Sequence, residues 1–329
     1  SDYNVAVGAS ALGAVTTGSN NVAVGTDAGA SATTVDNNTA IGHFALQDNT
    51  AASNTAVGAS ALLQNSTGSE GVAVGKNALA TNTTGVRNVA VGTEALYLST
   101  TGDDNVAVGK SALQDNTTGS DNTALGNYAL ANNTTASNNT AVGYYSLYTQ
   151  SSDGANNTAV GYYALKVNAA GDNNVAVGYG AMDTNTTASN NVAVGYNALT
   201  SNVTDEGNTA IGSFALTTAN GGHSNTAVGN GALNDCTTGD NNTAVGRLAL
   251  YALNGGEGNV GLGKDAGDSL TTGNYCQFIG QNANASAVDA EYQIVIGHGI
   301  TGGENSQFTF GRTSNIVQNE FDTDANWTR

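Results

Sequence analysis

The sequence predicts an all-β fold, a narrow parallel β-solenoid built from coils of 17 residues. A five-residue core such as Asn139-Thr140-Ala141-Val142-Gly143 returns along the chain, and its glycine, here called the repeat glycine, recurs at fixed intervals. Fifteen of the 18 spacings between repeat glycines are 17 residues, and the others are 16, 18 and 14. This period has no room for two helices, so each repeat is one small unit that buries its apolar face by stacking on its neighbours.

The three residues before each repeat glycine have the alternation of a short strand. The position directly before the glycine is apolar in all copies, and the position two earlier is Val or Thr in the first 16 copies. Side chains two apart on a strand share a face, so we expect these two columns to line the interior. The residue between them is Ala in the first 15 copies, and we expect this uniformly small column to contact another chain. The predicted trimer contacts include Ala6, Ala23, Ala141 and Ala193.

A second apolar column follows each repeat glycine. Ala-Leu pairs such as Ala112-Leu113 stand four residues after it, and we expect the Leu to enter the core from a second short strand or bend. A polar turn such as Asn116-Thr117-Thr118-Gly119 comes next, with a Gly suited to positive φ and with side chains that can hydrogen-bond locally. Each coil is therefore predicted to be strand, turn, short strand, turn.

Asn precedes the predicted strand in 15 of the first 16 copies, and Gly71 is the exception. Stacked in register, these side chains predict an Asn ladder that hydrogen-bonds one coil to the next. A ladder of metal ions would instead favour carboxylates in this column.

The repeat pattern divides the chain into three regions. Residues 1–263 hold the regular repeats, and residues 264–311 are predicted to be divergent coils that form a transition or cap. There the Ala column becomes Phe278, Val295 and Thr309, which we expect to push neighbouring chains apart. Residues 312–329, which include Phe321 and Trp327, abandon the period and predict a separate end element.

Composition argues against several partners. Only 10% of residues are charged, and 8 basic against 26 acidic residues give a net charge of −18, which disfavours nucleic acid and anionic membranes. No stretch approaches the ~20 apolar residues of a membrane helix, and the N-terminus has no signal-peptide pattern. Cys236 and Cys276 stand more than two repeats apart, so we expect two free thiols.

The pentapeptides Asn-Val-Ala-Val-Gly and Asn-Thr-Ala-Ile-Gly resemble the head repeats of YadA-like trimeric autotransporter adhesins. That resemblance implies a left-handed parallel β-roll and a three-chain assembly. The longer form Asn191-Val192-Ala193-Val194-Gly195-Tyr196-Asn197-Ala198-Leu199 resembles repeats in phage tail fibres. Residues 319–329 resemble the stretch upstream of the endosialidase-type intramolecular chaperone, which templates the trimer and then cuts itself off.

These resemblances imply a structural and adhesive function. We expect a homotrimeric phage tail fibre shaft or tip on the virion that attaches to a host cell-surface glycan or protein receptor and joins other fibre segments. The alternative location is the bacterial cell surface, as a trimeric adhesin. A second alternative is an ice-binding solenoid, because Thr-Thr pairs such as Thr83-Thr84 and Thr117-Thr118 recur in the turns.

Tyrosines provide the candidate binding site. Tyr144, Tyr162, Tyr179 and Tyr196 follow the repeat glycine in four consecutive repeats, and Tyr145 and Tyr163 follow two of them. Stacked in register, they predict an exposed aromatic strip that could serve as a platform for sugar rings of a receptor. The alternative is that the repeats arose by duplication and the rings stack for stability.

No pattern predicts catalysis, a metal or a cofactor. His43, His223 and His298 are far apart along the chain, and the carboxylates are scattered over turns. A glycosidase needs two carboxyls about 5–10 Å apart across a cleft, and only Glu291, Glu304 and Glu320 stand near one another in an irregular region. We therefore expect no enzyme, although a capsule-degrading activity is the third hypothesis.

Overall fold

The structure is a computed structural model that describes residues 2–150, 154–313 and 315–320. Every regular element in these residues is a strand, which confirms the predicted all-β class. Contacts divide the chain into two compact units, Ser1–Asp172 and Asn173–Arg329. Phe321 and Trp327, predicted to belong to an end element, lie outside the described residues.

The first unit is a parallel β-solenoid. Most of its strands have three residues, and each of these pairs in parallel with the three-residue strand of the next coil, without a register shift. The strands are β1 (Val5–Val7), β2 (Val22–Val24), β3 (Thr39–Ile41), β4 (Thr55–Val57), β5 (Val72–Val74), β6 (Val89–Val91), β7 (Val106–Val108), β8 (Thr123–Leu125), β9 (Thr140–Val142), β10 (Thr149–Gln150), β11 (Thr158–Val160) and β12 (Val167–Asn168).

The second unit continues the same architecture. Its strands are β13 (Val175–Val177), β14 (Val192–Val194), β15 (Thr209–Ile211), β16 (Thr226–Val228), β17 (Thr243–Val245), β18 (Val260–Leu262), β19 (Gln277–Ile279), β20 (Ile294–His298), β21 (Gln307–Arg312) and β22 (Asn315–Glu320). Pairing is parallel from β13 to β21, whereas β22 returns antiparallel to β21. The divergent repeats therefore keep the coil stack, and the parallel order ends at the β21–β22 hairpin.

The prediction of which strand residues face the core was wrong. In β2 to β9 the middle Ala is buried, whereas the residues on either side are half-buried or exposed. The core is therefore built from the Ala column and the Leu column, and the predicted Leu column is confirmed by the complete burial of residues such as Leu62, Leu113 and Leu130. The Val and Thr columns form the outer surface of the strands.

The Ala column is small because the interior is narrow. At Gly261, which replaces Ala in this column, an added Cβ would lie 2.8 Å from Cγ of Leu250 on the facing wall. Further on, Phe278 occupies the same column and is fully buried, and it fills space beside Gly267, which replaces Leu. The large residues predicted to push chains apart thus point inward and compensate for smaller residues opposite them.

The Asn ladder is confirmed. Asn105, Asn122 and Asn139 are fully buried, and Oδ1 of each accepts the backbone N–H of the equivalent residue one coil later, for example from Asn122 to Asn105 at 3.0 Å. The same bond joins Asn139 to Asn122 at 3.0 Å. The amide Nδ2 of Asn122 also donates to the carbonyl oxygen of Ala136 at 3.0 Å. Each Asn therefore satisfies backbone groups that would otherwise be buried without partners.

Turn residues form further ladders. Asn65 and Asn82, three residues after the core Leu, are buried, and Nδ2 of Asn82 donates to Oδ1 of Asn65 at 2.7 Å. The hydroxyl of Thr83 donates to the carbonyl of Thr100 at 2.9 Å, and that of Thr117 does so to Thr134 at 2.9 Å. These turn Thr hydroxyls hold adjacent coils together.

The second short strand predicted for each coil is present only as β10 and β12, which pair with each other. Elsewhere the segment around the core Leu is a turn, because Leu113 and Leu130 themselves have positive φ, at 51° and 53°. A bulky residue in this region is strained. Inter-coil hydrogen bonds nevertheless continue, as from the Leu113 N–H to the Ala129 carbonyl at 2.9 Å, so the stack restrains this conformation.

Candidate functional site

The outer strand surface is the largest apolar feature of each unit. We call it the strand face: the outward side chains of the first and third residues of the three-residue strands. These are Val or Thr in the first position and Val, Ile or Leu in the third, throughout β1 to β17. Val74 is 37% exposed and Leu125 is 46% exposed. No charged side chain belongs to this face, although the chain carries 34 charged residues (8 basic and 26 acidic).

The predicted trimer contacts do not lie on this surface, and that prediction was wrong. Ala23, Ala141 and Ala193 are fully buried within their own coils. Ala6 occupies the same column in the first coil and is exposed there. A side chain covered by its own chain has no surface to offer a partner, so any contact along the strands must use the Val and Thr columns.

The structure brings together four of the predicted receptor-binding tyrosines in the first unit. The rings of Tyr144 and Tyr162 stack with centroids 5.3 Å apart and planes at 19°. Tyr145 and Tyr163 lie beside them and meet edge to face at 5.9 Å. Tyr144 and Tyr162 are about two-fifths exposed, whereas Tyr145 and Tyr163 are half-buried.

Sequence reasoning missed other members of this group. Tyr128 stacks on Tyr145 with centroids 4.9 Å apart, and Tyr148 contacts Tyr145 at 4.6 Å. We call the group of Tyr128, Tyr144, Tyr145, Tyr148, Tyr162 and Tyr163 the tyrosine cluster. Tyr128 and Tyr148 are offset from the predicted column by one and four residues, and only the turn geometry brings them into contact. Their abundance within three repeats was the available signal.

Two lysines adjoin the tyrosine cluster. Lys110 Nζ lies 5.5 Å from the ring centroid of Tyr128, and Lys166 Nζ lies 4.6 Å from that of Tyr163. The hydrogen bond between the Lys110 ammonium and Tyr128 raises the pKa of Lys110, so this lysine keeps its charge well above neutral pH. Desolvation, with a further contribution from Tyr144, raises the pKa of the Tyr145 phenol, which therefore stays protonated at neutral pH.

The remaining predicted tyrosines lie in the second unit. Tyr179 and Tyr196 stack with centroids 5.2 Å apart and planes at 13°, and both are 48% exposed. Phe214 packs edge to face on Tyr196 at 5.2 Å. A separate pair in another column, Tyr275 and Tyr292, stacks at 5.4 Å and 15°. Tyr275 contacts Glu257 through its hydroxyl, so this pair has an acidic neighbour where the tyrosine cluster has lysines.

The stacking changes what the tyrosines offer a ligand. In the Tyr144–Tyr162 pair one face of each ring is covered by the other ring, and Tyr128 meets Tyr144 edge to face at 6.4 Å. Sugar rings stack on open aromatic faces. The exposed parts here are ring edges and phenol hydroxyls, so this geometry favours hydrogen bonding over a flat stacking platform.

The candidate catalytic and metal-binding residues have structural contacts. His223 Nδ1 accepts the backbone N–H of Glu206 at 3.1 Å, and its own N–H donates to Asp240 at 2.7 Å. Glu291 and Glu304 donate backbone N–H groups to side-chain oxygens of Asn305 and Gln307. In the part of the chain that the structure describes, no group of three His, Cys, Asp or Glu residues could hold a metal ion.

The two cysteines are free and buried, as predicted. Burial raises the pKa of the Cys236 thiol to about 11 and raises that of Cys276 as well. Cys236 Sγ lies 3.6 Å from the carbonyl oxygen of Gly239, and Cys276 Sγ lies 3.2 Å from that of Ala290. Both thiols are therefore weak nucleophiles that replace Asn in the two ladders.

Among the described residues there is no helix that could span a bilayer. No protein-family model, no curated protein and no solved structure matches this chain.

Proposed function

We propose that this chain is the shaft of a homotrimeric adhesive fibre and that copies contact one another through the strand face. The observation that carries the proposal is the exposure of two charge-free, β-branched columns on every regular coil. Natural monomers rarely expose contiguous apolar patches larger than a few hundred Å². The fibre would belong to a phage virion as a tail fibre, or to a bacterial surface as a trimeric adhesin.

The size of the strand face suits a stable interface. The first unit has ten three-residue strands, each with two partly exposed outward side chains. At roughly 50 Å² per side chain this is on the order of 1,000 Å², about what one partner contributes to a standard interface. The contact would replace apolar surface in water with apolar surface in protein, at about 25 cal/mol per Å².

Charge also favours the strand face as the meeting surface. Each chain has a net charge of −18, so two copies repel unless they approach through neutral surface. The strand face is such a surface. Three copies are favoured over two by the resemblance of the Asn-Val-Ala-Val-Gly repeat to YadA-like head repeats.

Light scattering after size-exclusion chromatography tests the assembly. We expect a particle of about 98 kDa, three times the 32.7 kDa chain mass. A double substitution Val74→Asp and Val91→Asp on the strand face should reduce the mass toward one chain, because buried unpaired carboxylates are costly. Ala59→Asp, at an exposed position beside the repeat glycine Gly58, is the matched control and should leave the mass unchanged. A wild-type monomer would refute the trimer.

Ice binding is a second candidate with a specific observation in its favour. Outward Thr residues such as Thr140 and Thr158 sit on flat parallel strands in register, with a Val two residues further on each strand. The turn Thr residues, by contrast, donate their hydroxyls to neighbouring coils. Thermal hysteresis of a dilute solution distinguishes the candidates, because only an ice-binding surface would separate the freezing and melting points.

A further inference from the structure

We propose that the tyrosine cluster, with Lys110 and Lys166 beside it, binds a carboxylated polysaccharide. This inference names the ligand of the adhesive fibre and rests on the proposed function. Its own support comes from the distribution of charge around the repeat glycines, from the way the lysines are held and from the exposed phenols.

The column that directly follows the repeat glycines is unlike the rest of the surface. None of its 19 residues is acidic, although the chain has 26 acidic residues, and five of the eight Lys and Arg residues occupy it. These are Lys76, Lys110, Arg247, Lys264 and Arg312. Tyr144 and Tyr162 stand in the same column and are exposed. On a strongly acidic protein, this edge is where an anionic ligand meets the least repulsion.

The two lysines are positioned by aromatic rings. Lys110 follows the repeat glycine of the coil that contains β7, and Lys166 belongs to the coil that contains β11. Three coil steps of about 4.8 Å separate these coils, so the two charges are spaced on the order of 14 Å along the stack. The contacts with Tyr128 and Tyr163 hold the ammonium groups near the cluster while leaving their hydrogens available to a carboxylate.

The phenols complete the arrangement. Stacking places the centroids of Tyr144 and Tyr162 5.3 Å apart, close to the length of one sugar ring in an extended polysaccharide. Phenol hydroxyls both donate and accept hydrogen bonds, as sugar hydroxyls require. A chain with carboxylates spaced a few rings apart can therefore contact both lysines while its hydroxyls follow the exposed ring edges.

Binding of polygalacturonate to the full chain tests this proposal, with neutral dextran as the comparison ligand, measured by calorimetry at about 0.15 M salt to screen long-range repulsion. We expect polygalacturonate to bind and dextran to fail. Lys110→Gln with Lys166→Gln, and separately Tyr144→Ala with Tyr162→Ala, should each weaken binding about tenfold, because each removes charge or hydrogen-bond contacts.

Tyr275→Ala with Tyr292→Ala is the matched control, since this exposed stacked pair lies beside Glu257 rather than lysines. It should leave the affinity unchanged. Equal binding of dextran, an equal loss in the control, or no binding of polygalacturonate by the wild-type chain would overturn the proposal. Light scattering on the same samples separates the two proposals: a trimer without binding refutes only the ligand, and a monomer that binds refutes only the trimer.

Discussion

At the scale of single residues, the repeat glycine has a specific stereochemical role. Gly126 has a φ of 138°, a region that L side chains rarely adopt, and an added Cβ would lie 2.6 Å from the carbonyl oxygen of Gly143 in the next coil. Backbone conformation and stacking therefore both exclude a side chain here. This explains why the column tolerates no other residue.

Gly126→Ala should lower the free energy of unfolding by more than about 3 kcal/mol, because strain and a steric clash act together. Gly299→Ala is the control, since its φ is 63° and no atom lies within 4 Å of the added Cβ. It should cost only about 1–2 kcal/mol. Urea denaturation measures both, and equal losses would contradict the close-stacking explanation.

A second residue-scale prediction concerns the Asn ladder. Asn122→Ala removes the acceptor of the buried Asn139 N–H and should cost about 2–3 kcal/mol. Asn132→Ala, at a half-buried position outside the ladder, should change stability by less than about 0.5 kcal/mol. If the two variants have the same urea midpoint, the ladder does not stabilise the coils.

Cys236 provides a pH-dependent prediction. Its thiol has a pKa raised to about 11, above that of an unfolded Cys near 8.5, so the unfolded state loses its proton first as pH rises. Stability contributed by the neutral thiol is intact below about pH 8.5 and is lost between there and about pH 11, by on the order of 2–3 kcal/mol. The difference in urea midpoint between wild type and Cys236→Ala should shrink or change sign over this range, and a constant difference would contradict it.

At the scale of the strand, orientation is decided by the space across the coil. The middle residue of each three-residue strand faces the Leu wall, and only a methyl group fits in the regular coils. Where the wall loses its Leu at Gly267, the strand residue becomes Phe278. The two walls therefore compensate for each other in size.

Substitutions on β8 test this orientation. Ala124→Val adds two methyl groups to a filled interior and should cost about 1–3 kcal/mol. Thr123→Val changes the adjacent outward side chain and should be neutral or slightly stabilising. Thermal unfolding of the two variants measures the contrast, and the opposite order would place the Ala column on the outside.

At the scale of the whole molecule, net charge and apolar surface have opposing effects on assembly. Three chains with a charge of −18 each repel one another, and salt screens this repulsion over about 10 Å at 0.1 M. Apolar contact between strand faces is not weakened by added salt. We therefore expect assembly to be weakest in dilute buffer.

Raising sodium chloride from about 0.02 M to about 0.3 M should tighten self-association several-fold, because the Debye length falls several-fold. Sedimentation equilibrium at both salt concentrations measures the dissociation constant. Weaker association at higher salt would indicate contacts between opposite charges and would contradict assembly through the strand face.

Part of the candidate site was predictable from sequence. The columns of Tyr144 and Tyr162 followed from the period, because stacked coils bring equivalent positions together. Tyr128 and Lys166 could not be assigned in this way, since they stand at other positions of the turn. Their contacts depend on side-chain directions set by positive-φ residues, which no column alignment contains.

The sequence by itself determined the 17-residue coil, the parallel stacking in register and the Asn ladder. Each of these depends only on identical residues meeting their copies one coil later. Only the tertiary structure decided which side of each strand is the inside. Alternation along a strand separates two faces but assigns neither to the core, and Ala23 and Val24 show that the smaller side chain is the buried one. The physical reason is the short distance to the opposite wall of the coil, where the Leu side chains leave room for no more than a methyl group.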